Sequence, residues 1–294
     1  MLTLTHENLA VLLTGKSLSE LSSIAGSLGS ADQVSFAAIN RKDHIEKNVL
    51  DAIGRKIDIW CILSPPEFLR ELGNTRLFLA EERSNILLTS SSALGSVIDL
   101  VRYRPLPGHE KILLLDDWIY NIYDYYYART RKKLNDIFEL TGEISTLFIF
   151  LHFIASLQFF RNIFLFGCDG VAAGKTALNS DIYFQQDTYT QARLEESGLH
   201  RDMLNFESEW KNCVDSLLLA RGMKMPSIIN ANVQSHYTVF EKRTLAAVIA
   251  DIKALTPFDG GCALEISGYP SWKDLLDRVD SEIFLHRFRT RSKS

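Results

Sequence analysis

Residues 144–169 read ISTLFIFLHFIASLQFFRNIFLFGCD. The first part is almost continuously apolar and long enough for a helix, and it leads directly into a short apolar run that ends at Asp169. The alternative of a membrane span is disfavoured, because the run is short for a span and is interrupted by His152 and Gln158. We therefore predict a core helix followed by a buried strand, and we expect His152 to be a hydrogen-bonded core residue.

Six further apolar runs have the same form. Each is short, continuous rather than alternating, and bounded by polar or turn residues, which is typical of strands buried on both faces. Helical patterns lie between them, at 17–28, 42–55, 65–73, 144–160, 200–222 and 236–245. This alternation predicts an α/β fold: a Rossmann-like, mostly parallel sheet with helices on both faces. The seven predicted strands are 9–15, 33–40, 57–64, 85–90, 111–117, 162–169 and 226–232.

The chain divides into one large predicted domain and an extension. We predict a nucleotide-binding domain over residues 1–260 and a C-terminal extension over 261–294. Residues 170–199 are polar, rich in Gly, Gln, Thr and Tyr, and too long for an ordinary connection, which predicts a lid. Residues 283–294 are basic with interleaved aromatics; we predict a disordered end, with contact to anionic lipid as the alternative.

The composition of the chain bears on its partners and on its cellular compartment. The chain has 294 residues, of which 46% are hydrophobic, and a net charge of -4, so it offers no general basic field for nucleic acid. Four cysteines stand apart without a Cys-x-x-Cys pair, which fits a reducing compartment. The first residues show no signal-peptide pattern. We predict a cytoplasmic protein and leave open a peripheral place on the inner face of the membrane.

Ligands of parallel sheets bind beyond the carboxyl ends of the strands. Polar residues follow nearly every predicted strand, although each one could also be a simple turn former. The candidate nucleotide-binding residues at these ends are Gly15, Lys16, Ser17, Asn40, Ser64, Asp169, Gly170, Asn230, Asn232 and Ser235.

Two Gly-Lys-Ser/Thr segments raise the question of a phosphate-binding loop. In the segment 169–176, only three residues separate Gly170 from Gly174, one fewer than the motif requires. In the segment 10–17, the loop would need Val11 to Leu13, which belong to the first predicted strand. Residues 112–117, which end in Asp116 and Asp117, imitate a magnesium-holding strand. We keep a P-loop-like or pyrophosphate-transferring kinase, using ATP and magnesium, as the alternative function.

A simpler interpretation of the segment 13–18 remains. Gly15 takes a tight turn, and Ser17 caps a helix whose first amides attract a phosphate group. The same logic predicts a second anion site where Asn230, Asn232 and Ser235 precede the predicted helix 236–245.

The order of these features resembles the bacterial sialyltransferases of glycosyltransferase family 42 and the related motility-accessory-factor enzymes. In that family a first strand ends in Gly-x-Gly-x-Ser-Leu, matched in part by "LTGKSL" at 13–18, and a second strand ends in an Asn, similar to Asn40. A small turn then opens an apolar helix that leads to a strand ending in Gly-x-Asp, similar to the turn at 139–146, the predicted helix 144–160 and the segment 164–169. The lid, catalytic His, helix and Asn/Ser turn of the family are similar to 170–199, His200, 205–218 and 228–235.

The resemblance implies roles for further residues. It makes His200 the general base, Tyr183 the donor of a hydrogen bond to the leaving phosphate, and either Thr141 and Gly142 or Ser145 and Thr146 the nucleotide-binding turn. The alternatives are a surface position for His200 and core packing for Tyr183. The chain departs from the family where Lys16 replaces a glycine, where an Arg before the turn has no counterpart, and where a second lid tyrosine is matched only by Tyr189.

The resemblance implies an inverting glycosyltransferase that moves an acidic, sialic-acid-like sugar from a CMP-type donor to a glycan or glycolipid hydroxyl, in the assembly of a bacterial surface glycan. The sequence contains no Asp-x-Asp triplet, so we expect no metal and no cofactor apart from the donor itself. We expect no nucleic-acid partner. Homo-oligomer formation stays open, and so does a non-enzymatic module that keeps the fold without the chemistry.

Overall fold

The structure is a computed structural model. It describes residues 2–4, 6–13, 15, 17–18, 20–21, 34–40, 49, 57–81, 85–121, 146–169, 218–219, 221–235, 237–255 and 264–291.

Two sheets are present in the described ranges. In chain order the strands are β1 (Leu2–Leu4), β2 (Asn8–Leu12), β3 (Ser35–Ile39), β4 (Ile59–Ile62), β5 (Ile86–Thr89), β6 (Ile112–Leu114), β7 (Asn162–Phe166), β8 (Ser227–Asn230), β9 (Glu241–Lys242) and β10 (Leu264–Ile266). The main sheet has eight parallel strands in the order β6-β5-β4-β3-β2-β7-β8-β9. β1 and β10 form a separate antiparallel pair. The predicted α/β fold with a Rossmann-like parallel sheet is confirmed, and all seven predicted strands are present in it.

Helices cover both faces of the main sheet. They are α1 (Pro65–Arg70), α2 (Leu72–Ala80), α3 (Ser91–Gly95), α4 (Ile98–Val101), α5 (Thr146–Ser156), α6 (Leu245–Ala254) and α7 (Trp272–Arg291), with a 3-10 turn at His109–Lys111. The apolar helix α5 packs on one face, against side chains such as Val11 and Leu165. Helices α1 to α4, α6 and α7 contribute to the core on the other face, around Leu12 and Trp60. The strands are buried on both faces, which explains their continuous apolar sequences.

The predicted helix over 236–245 is wrong. Residues 241–242 form strand β9, and helix α6 begins only at Leu245, after Thr244. The side-chain oxygen of Thr244 accepts a hydrogen bond from the amide of Ala247, which fixes this start. The preceding residues, Tyr237 to Phe240, include β-branched and aromatic side chains, which favour extended backbone over helix.

The predicted disordered end is also wrong over 283–291, because α7 continues through Arg291. Leu275 and Val279 of this helix are buried in the core of the main sheet. The predicted extension therefore packs on the α/β core. None of the helices in the described ranges combines the length and the apolarity that crossing a bilayer requires.

The strand order changes direction beside β2. From β2 the chain adds β3, β4, β5 and β6 on one side, and then returns to place β7 and β8 on the other side. Leu18 and Leu21, which follow β2, are buried in the core on one face of the sheet, whereas Leu218, which precedes β8, is buried in the core on the other face. A gap between neighbouring strand ends is expected where the connections take opposite faces. This switch point is where sheets of this type bind ligands.

Candidate functional site

The switch-point site consists of the loops that follow β2, β7 and β8. The first two loops meet directly: the amide of Leu13 donates to the carbonyl of Phe166 (2.9 Å), and the amide of Gly15 donates to the carbonyl of Gly167 (3.0 Å). A β-carbon at Gly15 would lie 2.2 Å from the carbonyl oxygen of Gly167 and 2.8 Å from the carboxyl carbon of Asp169. Only glycine fits at Gly15, because the loop after β7 approaches its backbone so closely.

Asp169 joins the three loops. Its Oδ2 accepts a hydrogen bond from the backbone amide of Ser17 (2.9 Å), and its Oδ1 accepts one from the Ser17 hydroxyl. The side-chain amide of Asn232 also donates to Oδ1 (2.9 Å). The structure thus brings together three predicted site residues that lie far apart in the sequence. The sequence suggested each one separately but not their contact.

Asn230 and Ser235 support the loop after β7. The side-chain amide of Asn230 and the hydroxyl of Ser235 both donate to the carbonyl oxygen of Cys168, at 2.8 Å and 2.6 Å. The Ser235 hydroxyl also lies 3.1 Å from the Asp169 carbonyl. Both side chains are buried. Their polar groups are thus engaged with backbone, so they position Asp169 rather than face a ligand.

Two predicted phosphate sites need correction. The amide of Ser17, which we expected to attract phosphate, is already occupied by the carboxylate of Asp169. A carboxylate at a helix start satisfies the same amides that a phosphate would use. At Asn230, Asn232 and Ser235 no helix follows, because residues 241–242 are a strand, so this segment has no helix N-terminus to offer.

Asn40 ends β3, the neighbour of β2. Its backbone lies in the left-handed region (φ 60°), its amide donates to the carbonyl of Cys61 (2.8 Å), and its carbonyl accepts from the indole of Trp60 (2.8 Å). Its side-chain Oδ1 is buried, and no described residue donates a hydrogen bond to it. A strained residue with an unused acceptor at a strand end is typical of a binding position.

Replacing Asn40 with glycine is expected to leave the free energy of unfolding unchanged or to raise it by up to about 1 kcal/mol, because glycine adopts positive φ freely and removes the unused acceptor. Asn40→Ala is the control: it removes the same acceptor but keeps the β-carbon, and we expect it to be less stable than the glycine variant by about 1 kcal/mol. Urea unfolding measures both. Equal stability of the two variants would contradict the strain.

Ser64 lies farther away. It follows β4, two strands from β2, so it stands about 10 Å from the switch point at the usual strand spacing. Its carbonyl accepts the amide of Phe68 at the start of α1. Six predicted site residues lie outside the described residues: Lys16, Thr141, Gly142, Gly170, Tyr183 and His200.

The first turn of α5 borders the switch-point site. Phe148 packs edge-on against Tyr237, with 6.1 Å between ring centroids, and the amide of Tyr237 donates to the hydroxyl of Ser235 (3.2 Å). Thr146 is the first described residue of the helix and is buried. The first described turn of α5 therefore adjoins the loop after β8.

Comparison with known proteins finds no match. No family model matches the chain, and no curated protein or solved structure is significantly similar to it.

Sequence reasoning missed a second polar cluster at the same edge of the sheet. Asp116, after β6, is buried and accepts hydrogen bonds from the amide (2.9 Å) and hydroxyl (3.0 Å) of Ser91 at the start of α3. Burial raises the pKa of Asp116 to about 6, and the charge of Glu282 adds to this rise. The hydrogen bonds from Ser91 act in the other direction and lower the pKa. Asp116 therefore satisfies the amide of Ser91 in the first turn of α3, while Ser90 is the N-cap. The signal was its place after a buried strand, which we had interpreted as imitating a magnesium site.

The P-loop alternative gains no support at the first strand. Val11 and Leu12, which the loop would need, form β2 and are buried. The second Gly-Lys-Thr segment falls outside the described residues beyond Asp169. In the part of the chain that the structure describes, no three His, Cys, Asp or Glu side chains are grouped closely enough to hold a metal ion.

Proposed function

We propose that the protein is an inverting glycosyltransferase that binds a CMP-type sugar nucleotide at the switch-point site. The observation that carries this proposal is the joining of Ser17, Asp169 and Asn232 across the point where the strand order reverses. Sheets of this kind place nucleotides there. The resemblance of the strand-end residues to family 42 sialyltransferases supports an acidic sugar as the transferred group and a glycan or glycolipid hydroxyl as the acceptor.

Asp169 is the proposed hydroxyl-binding group. A carboxylate accepts hydrogen bonds from ribose or sugar hydroxyls. Among the described residues, Oδ2 accepts one donor, the Ser17 amide, so it retains room for a further hydrogen bond. The neighbouring amide of Asn232 keeps the carboxylate in place.

The nucleotide phosphate is assigned to the first turn of α5. The alternative place, the amide of Ser17, is filled by Asp169. Helix amino ends attract anions, and the first described turn of α5 lies beside the loop that carries Ser235. This assignment agrees with the second of the two turns considered from the resemblance, Ser145 and Thr146.

The chemical step needs a base for the acceptor hydroxyl and a donor for the leaving phosphate. The proposal keeps His200 as the base, since a neutral imidazole can take the hydroxyl proton near neutral pH. It keeps Tyr183 as the donor to the phosphate oxygen. Both roles come from the resemblance, and both residues belong to the part of the chain outside the described ranges.

Thermal unfolding with and without CMP tests the proposal. CMP at about one hundred times its dissociation constant should raise the midpoint by roughly 5 °C, in the presence of EDTA as well as of magnesium. Asn40→Gly and Thr146→Val should weaken this rise while the variants stay folded. Asn162→Ala is the matched control. Asn162 donates a hydrogen bond to Asn8 at the amino ends of β7 and β2, whereas the switch-point site lies beyond their carboxyl ends.

Three results would contradict the proposal. The first is no stabilisation by CMP. The second is equal stabilisation of Thr146→Val and the parent chain. The third is stabilisation by ATP only in the presence of magnesium, lost in Lys16→Ala, which would indicate the kinase instead.

A further inference from the structure

Helix α7 runs past the sheet edge that carries the switch-point site. It begins beside the amino end of β6, where the ring of Trp272 lies 6.3 Å from that of His109. Arg278 then reaches Asp117, after the carboxyl end of β6, at 2.8 Å. Glu282 lies one turn farther along and is paired with Arg278 at 2.7 Å. The helix continues to Arg291, so its carboxyl end lies roughly 13 Å beyond Glu282 along the helix axis.

Large apolar side chains are exposed where α7 leaves the core. Phe284 is 65% exposed and Leu285 is 42% exposed. Leu100 lies in α4 and is 57% exposed, and Tyr103 lies in the loop that follows α4 and is 90% exposed. The two segments are neighbours, because Arg102 forms an ion pair with Asp280, one turn before Phe284, at 3.1 Å. Four exposed apolar residues thus lie on one side of the molecule.

Positive charge accompanies these residues. Arg102 and Arg104 flank Tyr103 and are exposed. Residues 283–294 contain three arginines and one lysine and no acidic residue, although the whole chain has a net charge of -4. By contrast, the earlier part of α7 carries Asp274, Asp277, Asp280 and Glu282. The charge along this helix therefore separates into an acidic part on the core and a basic part beyond it.

Helical periodicity continues the exposed side. Positions 284, 288 and 291 follow the i, i+4, i+7 spacing, so they lie on one side of the helix backbone. That side is opposite the buried residues Leu275 and Val279. The sequence has Phe at 288 and Arg at 291, which extends the combination of aromatic and basic residues. Helices with this combination lie in the headgroup region of membranes.

We propose that this basic apolar surface (Leu100, Arg102, Tyr103, Arg104 and residues 283–291) docks the protein on an anionic phospholipid bilayer. Arg104 and the three arginines of residues 283–291 are complementary to lipid phosphates, and Tyr103, Phe284 and Leu285 insert at the boundary between headgroups and acyl chains. The end of α7 extends beyond the carboxyl ends of the strands, where the switch-point site lies. Docking through α7 therefore turns these strand ends toward the bilayer. A lipid-linked acceptor follows from this orientation only if the proposed function holds.

Co-sedimentation with vesicles tests the docking, without nucleotide. The full chain should bind vesicles of phosphatidylcholine mixed with phosphatidylglycerol, bind phosphatidylcholine alone far more weakly, and lose binding at high salt. The triple substitution Arg287→Glu, Arg289→Glu and Arg291→Glu should weaken binding at least about a hundred-fold, since each lost arginine alone removes about five-fold. Tyr103→Ser with Phe284→Ser should also weaken it at constant charge.

Leu219→Ser is the matched control, because Leu219 is 77% exposed and follows Leu218, which is buried in the core on the face of the sheet opposite α7. It should bind vesicles as the parent chain does. Equal binding to neutral and anionic vesicles, unchanged binding of the triple variant, or binding to heparin without binding to vesicles would overturn the proposal. The CMP experiment contains no lipid and this one contains no nucleotide, so the failure of either proposal is seen separately.

Discussion

Gly15→Ala is expected to lower the free energy of unfolding by about 3 kcal/mol and to abolish stabilisation by CMP. The new β-carbon would lie 2.2 Å from the backbone oxygen of Gly167, and backbone cannot move aside as a flexible side chain can. Separation of the two loops would also break the hydrogen bond from the Gly15 amide to Gly167 and displace Ser17 from Asp169. Urea unfolding and the CMP-dependent thermal shift measure the two effects.

Gly73→Ala is the matched control for this substitution. Gly73 lies in α2, is exposed, and has no atom within 4 Å of the position that a β-carbon would take. Alanine should raise the free energy of unfolding there by about 0.5–1 kcal/mol through helix propensity. A Gly15→Ala protein as stable as the parent chain would show that the loops after β2 and β7 do not pack as described.

His152→Phe is expected to remove an acid-dependent loss of stability. His152 is fully buried in α5, its ring contacts Trp118 edge-on, and neither ring nitrogen has a hydrogen-bond partner in the described structure. The expectation of a hydrogen-bonded histidine was therefore wrong. Burial, with a smaller contribution from the charge of Arg221, lowers the pKa of His152 to about 4 from its ordinary value of 6.5.

The direction of this pH dependence follows from the different pKa of His152 in the folded and unfolded chain. The unfolded chain binds a proton at His152 below pH 6.5, whereas the folded chain does so only near pH 4, so protonation favours unfolding between these values. The parent chain should lose about 3 kcal/mol of unfolding free energy from this group as the pH falls from 6.5 to 4, relative to His152→Phe. His152→Leu should behave like the phenylalanine variant, because the effect comes from titration and not from shape. Parallel stability profiles of parent and variants would contradict it.

Asp116→Asn provides a comparison of opposite sign. The folded pKa of Asp116, about 6, lies above the ordinary value of 3.8, so the charged carboxylate destabilises the fold increasingly as the pH rises from 3.8 to 6. Asparagine keeps an oxygen that can accept from the Ser91 amide. As the pH rises over this range, the free energy of unfolding of Asp116→Asn should therefore increase relative to that of the parent chain. For His152→Phe the same relative increase should occur as the pH falls.

The sequence predicted the sheet because its main strands are buried on both faces and read as continuous apolar runs. β9 escaped prediction, since two residues, Glu241 and Lys242, carry no apolar pattern. The segment Tyr237 to Phe240 was assigned to a helix although its β-branched and aromatic side chains favour extended backbone. Local pattern decides long elements better than short ones.

The contacts within the switch-point site depended on information that periodicity does not contain. The sequence indicated that Ser17 and Asp169 both follow strands. Their contact spans 152 residues and exists only because β7 pairs with β2 rather than with β6. Strand order therefore determined that a carboxylate, rather than a phosphate, occupies the amide of Ser17.

The central place of β2 has a consequence for synthesis on the ribosome. β2 pairs on one side with β3 soon after it emerges, but its other side waits for β7, which ends at Phe166. At about 5–20 residues per second, the open backbone of β2, which is apolar after Asn8, persists for roughly 10–30 s. Nascent chains in this interval present a template for pairing with one another, so yield of folded protein should depend on chaperones that shield this strand.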